Sequence, residues 1–208
     1  MIGLIGKKVG MTQVFDETGL LTAVTVIQID DNTVVSQRTE ERDGYEAVVL
    51  GIGEMKAKRA TKPYAGQFSE GIAPQKKLME FRDFEKEYAV GDTFGVELFE
   101  GHGFVDVTSE SKGKGYQGVM KRHGFTGGRK THGSKFHRGL GSTGMAATPS
   151  KIHKGTKMPG RMGNKKTTVQ NLKVVKIDPE KKVLLVSGSV PGERNGMVIV
   201  RSAKKKEI

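Results

Sequence analysis

Between Lys112 and Lys166 the chain carries ten lysines, four arginines, four histidines and thirteen glycines, with no aspartate or glutamate. Charges of one sign this closely spaced repel over a screening length of about 8 Å, and the near absence of aliphatic periodicity leaves little to bury. The acid-free stretch extends from Ser111 to Ile177 and holds 16 of the 35 lysines and arginines. The rest of the chain sets 19 bases against 23 acids, a formal balance of −4. A mildly acidic body therefore carries one strongly basic, glycine-rich insertion that cannot serve as a core.

With that insertion set aside, a 208-residue chain suits one or two domains and has enough apolar residues for a packed interior. A formal charge of +12 favours a polyanionic partner, either nucleic acid or an anionic membrane surface. No apolar run approaches the roughly 18 residues that span a bilayer, and no amphipathic stretch suits a membrane surface. The opening Met1 to Phe15 has its lysines after a short apolar patch, not before it, unlike a signal peptide. The absence of cysteine removes disulfides, thiol nucleophiles and cysteine-ligated zinc, and fits a reducing cytosol.

The body reads as short β-branched runs separated by turns. Glycine-broken strands open the chain, with Asp16-Glu17-Thr18-Gly19 as a hairpin turn. Leu21 to Asp30, Thr33 to Gln37 and Tyr45 to Ile52 follow, the first two joined by an Asp31-Asn32 turn. Residues 54–87 are mixed and charged, predicting one short helix with Pro63 in its first turn and Gly71 past its end, and a strand over Leu78 to Phe84. Further strands are expected over Thr93 to Phe99, Phe104 to Ser109, Val169 to Ile177, Val183 to Val190 and Met197 to Arg201. This rhythm predicts a mainly β chain, an antiparallel barrel or sandwich. The body comprises 1–53, 88–111 and 167–208, with an α+β subdomain inserted at 54–87 and a basic loop at 112–166. Strands on both sides of the loop imply that it leaves and re-enters one sheet.

Three kinds of chemistry can be weighed inside the loop. Gly113-Lys114-Gly115-Tyr116-Gln117-Gly118 matches G-x-G-x-x-G, but a dinucleotide site also needs an acid about 20 residues on, and none occurs before Asp178. His123, His132, His137 and His153 fit no zinc spacing and lack a cysteine or carboxylate to complete a site, so no metal is expected. Ser134, Ser142 and Thr143 lie near histidines, yet no carboxylate is at hand to orient an imidazole, so no catalytic residue is assigned.

Phosphate binding explains the composition better. Lysines and arginines neutralise phosphates and release counter-ions, while glycines let the backbone approach closely. Tyr116, Phe125, Phe136 and the histidines stack on bases or donate to phosphates. RNA is preferred to DNA, because an irregular glycine-rich chain with scattered aromatics suits the crevices of folded RNA, whereas duplex DNA is usually read by a helix or ribbon. A passive, solvated linker is the plain alternative. The embedded aromatics and the return to one sheet argue against it. An RNA-acting enzyme using the arm for substrate capture is the other alternative.

Longer motifs then carry a family resemblance. The opening MIGLIGKKVGMTQVF, the spacing of Phe99, Asp106, Ser109, Ser111, Gly113-Lys114-Gly115, Gly118 and Arg122, and the stretches GKGYQGVMKRHGF, THGSKFHR, KMPGRMGNKKTTVQNLKVVKID and LLVSGSVPG resemble the bacterial type of the third large-subunit ribosomal protein family. The similarity spans nearly the whole chain.

That resemblance implies a six-stranded antiparallel barrel of the kind shared with translation factors, and a loop threading through large-subunit ribosomal RNA. It implies a structural role in the cytoplasmic ribosome: early assembly, neighbouring large-subunit proteins as partners, and no cofactor, small-molecule substrate or membrane. The expected RNA contacts are Lys7, Lys8, Lys112, Gly113, Lys114, Gly115, Tyr116, Lys121, Arg122, His123, Phe125, Arg129, Lys130, His132, Lys135, Phe136, His137, Arg138, Lys151, His153, Lys154, Lys157, Arg161, Lys165 and Lys166. The loop tip, mapped to Ser142, Thr143, Gly144, Met145, Ala146, Ala147 and Thr148, is expected near the peptidyl transferase centre. Some bacterial relatives carry a methylated glutamine in the tip, where this chain has Met145-Ala146-Ala147.

Overall fold

The computed structural model describes residues 2–206 apart from 17, 70, 86 and 87, and the side chain of 57 is likewise left aside. Glu17 of the expected hairpin turn and Glu87 at the end of the expected insertion lie outside the described residues.

The β-branched runs form strands β1 (Gly3–Phe15), β2 (Leu21–Gln28), β3 (Asn32–Arg38), β4 (Ala47–Glu54), β5 (Gln75–Arg82) and β6 (Thr93–Phe94). They continue as β7 (Phe104–Glu110), β8 (Tyr116–Gln117), β9 (Gly160–Arg161), β10 (Lys166–Asp178), β11 (Val183–Ser187) and β12 (Met197–Ser202). Among the described residues three short α-helices intervene, α1 (Glu40–Asp43), α2 (Lys62–Ala65) and α3 (Val119–His123). Contacts divide the chain into two units, residues 1–110 with 166–208, and residues 111–165.

In the first unit six antiparallel strands close into a ring in the order β1, β12, β7, β10, β11, β2. Closure gives each strand a partner on both sides and removes the open edges that invite aggregation. Leu4, Ile27, Val105, Val107, Leu184, Val186, Val198 and Val200 are wholly buried. Val105 and Val107, Leu184 and Val186, and Val198 and Val200 are each two residues apart, the period of 2 that a pleated strand imposes on one face. Glu110 of β7 and Lys166 of β10 are partners across the ladder, so residues 111–165 connect two neighbouring strands of one sheet.

β10 is bent by a bulge between Val169 and Leu172, where Asn171 takes a φ of 58°. The Asn171 N–H, displaced from the ladder, donates to the buried carboxylate of Asp106 at 2.8 Å. A bulge commonly leaves such a group unpaired, and an acid at this place satisfies it.

The remaining strands form a second sheet in the order β5, β4, β3, β6. This corrects the sequence reading, which assigns all of 1–53 to the barrel: β3 and β4 leave the ring and pair with β5, from the stretch read as a separate insertion. A β-branched run marks a strand and does not specify its neighbour. Asn32, read as a turn residue, is wholly buried at the start of β3. Its Nδ2 donates to the carbonyls of Ile5 at 3.1 Å and Asp30 at 2.8 Å, while Oδ1 accepts from the Ile5 N–H at 2.9 Å. The side chain thus pairs with β1 as another strand would. Beside it, a Cβ at Gly3 would run into the Phe81 ring of β5, so only glycine lets the second sheet approach here.

The expected strand over Thr93 to Phe99 stops at Phe94, and Val96–Phe99 forms a turn of 3-10 helix. Val96, Leu98 and Phe99 are all buried by this turn, a pattern that a strand with one wet face would not produce. The helix at Pro63 forms as α2 but ends at Gly66, before the Gly71 expected from the sequence.

Candidate nucleic-acid interface

Residues 111–165 are organised by backbone pairing more than by packing, since Val119 is their one buried residue. The two ends are clasped together: Ser111 N–H donates to the Lys165 carbonyl at 2.9 Å, and Asn164 N–H donates to the Ser111 carbonyl at 3.0 Å. Lys114 N–H then donates to Met162 O at 2.9 Å and Met162 N–H to Gly115 O at 3.0 Å, leading into the β8–β9 pair. This two-stranded stem needs its glycines. Gly163 has a φ of 74°, and a Cβ there would overlap the Lys112 carbonyl oxygen. Gly115 has a φ of 66° but no heavy atom within 4 Å of its Cβ position.

At the end of the stem α3 makes one turn and stops at Gly124, whose φ of 75° gives the left-handed C-terminal cap. Arg122 and His123 fold back from it. Arg122 Nη1 donates to the Met158 carbonyl at 2.8 Å, and His123 Nε2 lies 3.0 Å from the same oxygen, so Nε2 carries the proton. Gly128 N–H donates to the His137 carbonyl at 3.0 Å, and His137 Nδ1 donates to the Arg129 carbonyl at 2.9 Å. A Cβ at Gly128 would strike the Phe136 carbonyl, so the Gly127-Gly128 pair is what admits this crossing. At the tip, Ser142 Oγ donates to Gly144 O at 3.0 Å and Ser150 Oγ to Ala147 O, and Thr148-Pro149 is cis.

The fourteen lysines and arginines of 112–166 are all exposed. With no aspartate or glutamate in the stretch, nothing within it offsets their charge. Tyr116 is 72% exposed and Phe136 46% exposed, whereas Phe125 is half buried. Met145 of the tip is also exposed.

The expected residues separate by role. Lys112, Lys114, Lys121, Arg129, Lys130, Lys135, Arg138, Lys151, Lys154, Lys157, Arg161 and Lys165 sit on the surface of the second unit, and Lys166 and Lys7 on that of the first. Lys8 is different: its Nζ donates to the Val190 and Gly192 carbonyls at 2.6 and 3.3 Å, within the first unit. Arg122, His123 and His137 are engaged with backbone carbonyls, while His132 and His153 are exposed. Among the described residues no cluster of histidine and carboxylate side chains could hold a metal. No helix among them is long and apolar enough to cross a membrane.

Sequence reasoning passed over Gly127, Gly128, Gly139 and Gly163, which fix the loop's shape, and Met158, whose carbonyl anchors α3. The Gly127-Gly128 doublet was a legible signal for a close backbone crossing. A carbonyl acceptor leaves no mark in a sequence.

Comparison with known proteins matches residues 76–183 to the family described as Ribosomal protein L3. The chain is similar to the large ribosomal subunit protein uL3 of Treponema denticola, 61% identical over 206 residues that cover 99% of each chain. It is also similar to the proteins of that name from Borrelia hermsii, 52% identical with 99% of each chain covered, and from Treponema pallidum, 52% identical with 100% of each covered. A match over half the sequence, joined to relatives this close over nearly their full length, leads to one assignment: the chain belongs to the Ribosomal protein L3 family.

Proposed function

We propose that this protein is a structural constituent of the large ribosomal subunit, not an enzyme, and that it binds large-subunit ribosomal RNA through residues 111–165. The observation that carries this reading is that residues 111–165 hold no aspartate or glutamate, expose every lysine and arginine, and bury one residue. Such a unit gains its counter-charge from a polyanion, and phosphates supply it. The stem glycines let backbone approach backbone, Arg122, His123 and His137 hold the loop's path, and the exposed lysines and arginines meet phosphates. Tyr116, Phe125 and Phe136 offer faces to unstacked bases.

In this reading the six-stranded ring is a barrel of the translation-factor kind. The body, with the 54–87 stretch, meets neighbouring ribosomal proteins, and the tip at Ser142 to Thr148 approaches the peptidyl transferase centre without supplying catalytic groups. The protein acts early in assembly of the subunit and works in the cytoplasm. The relatives' name, large ribosomal subunit protein, supports the assignment to that particle.

A salt titration of the purified chain against a large-subunit ribosomal RNA transcript tests it. If about half of the fourteen window charges meet phosphates, log affinity falls against log salt with a slope of roughly −5 to −6. A slope near zero, or multiple-turnover conversion of the RNA, refutes the reading.

A further inference from the structure

One concavity of the second unit has a chemistry that its basic surface does not share. A cleft of about 510 Å³ is bordered by Phe125, Phe136 and Leu140, with His123 and Gly139 in its wall and Lys157 contributing a cation. That volume lies within the roughly 300–1,000 Å³ usual for small-ligand sites. Phe136 stays 46% exposed, so its ring is not there to complete a core. The wall is nonetheless built to hold it. A Cβ at Gly139 would lie 2.7 Å from the Phe136 ring, so glycine at 139 lets that ring occupy its place. His123 is fixed by the Met158 carbonyl at 3.0 Å, and its ring centroid lies 6.3 Å from that of Phe125.

We infer that this cleft receives one unstacked nucleobase of single-stranded RNA, with the base against the Phe125 and Phe136 rings and an adjoining phosphate on Lys157. The inference rests on the RNA-binding reading above and assigns one location within it. Aromatic faces beside a cation that no carboxylate offsets complement a planar π-system bearing an anion, which is what a splayed nucleotide presents. An acidic peptide would satisfy the cation and leave the aromatic faces without a planar partner.

The test uses the full chain bound to a large-subunit ribosomal RNA transcript, irradiated in the ultraviolet and digested for mass spectrometry. A nucleotide adduct is expected on the peptide carrying Phe125 or Phe136. Phe136→Leu is expected to abolish the adduct there and lower affinity by roughly 5- to 150-fold, the range for losing one base stack, with the salt slope unchanged. Phe136→Trp restores both, and Gly139→Val, which drives a branched side chain toward the Phe136 ring, reproduces the loss. Wild-type affinity in Phe136→Leu, with adducts confined to other peptides, overturns the cleft while leaving the basic interface standing. Saturable binding of free adenosine monophosphate without an RNA adduct makes it a mononucleotide site and also overturns it. A wild-type salt slope near zero removes the RNA-binding reading itself, and the cleft with it.

Discussion

Gly163→Ala asks whether the stem of the basic unit is set by backbone geometry. Gly163 sits at a φ of 74°, where an L-residue costs about 1–2 kcal/mol. Its Cβ would also overlap the Lys112 carbonyl oxygen and lie 3.1 Å from the carbonyl carbon and 3.2 Å from Gly113 Cα. Relief requires the 112–113 backbone to move away, for which overpacking series suggest a further 1–3 kcal/mol or so. The total is about 2–5 kcal/mol. Gly115→Ala is the internal control, since its φ of 66° carries the same conformational cost into open space and predicts only about 1–2 kcal/mol. The reporter is hydrogen exchange at the Lys114 amide, which donates to Met162 O, and the Met162 amide, which donates to Gly115 O. At about 1.4 kcal/mol per tenfold, Gly115→Ala should speed exchange by roughly 5- to 30-fold, and Gly163→Ala by more than that until protection is lost. Ring amides such as those of β7 should keep wild-type rates in both variants. Equal acceleration by the two substitutions would mean that the Lys112 carbonyl does not confine this position, and the steric argument fails.

Phe99→Ala, at a wholly buried ring, should destabilise the first unit by about 3–5 kcal/mol, read as a lower urea midpoint; a loss under about 1 kcal/mol would contradict its place in the core. The Asp16 carboxylate is held below its ordinary range by the Thr18 hydroxyl at 2.6 Å and the Leu20 N–H at 2.8 Å. Because its folded pKa is depressed, the stabilisation of the β1–β2 turn is present above the unfolded value near 3.8 and disappears as pH falls through the folded one. An NMR titration of Asp16 with its midpoint at or above 3.8 would contradict this. Trypsin should cut the free chain chiefly between Lys121 and Lys166 and spare the ring, with RNA protecting those sites; identical digests with and without RNA would show that the unit does not engage it.

The strands of the ring were legible as β-branched and apolar runs bounded by turn residues. Phe104 to Ser109 and Val169 to Ile177 lie within β7 and β10 as read. Partner choice was not. The β-branched runs in Thr33 to Gln37 and Tyr45 to Ile52 read the same whether a strand joins the ring or the second sheet. That choice depends on Asn32 standing in for a strand against Ile5 and on the missing side chain at Gly3, both set by residues distant in sequence. Thr93 to Phe99 misled for a related reason, since a 3-10 turn buries apolar residues at spacings that a strand cannot.

In the basic unit, composition alone excludes several chemistries. A dinucleotide site, a metal cluster with a carboxylate ligand and a local catalytic triad each need an acid, and the sequence has none between Glu110 and Asp178. The sequence by itself therefore determined the sign of the partner, because charge is additive and does not wait for a fold. Only the tertiary structure decided which basic and aromatic groups are engaged within the chain and which are left exposed. Lys8, Arg122, His123 and His137 are held by backbone carbonyls, Phe136 stands half open over a cleft, and Gly163 gives up a side chain so that the stem can close. Those assignments rest on hydrogen bonds and steric limits between residues far apart in the chain, and such contacts exist only once the backbone has brought them together.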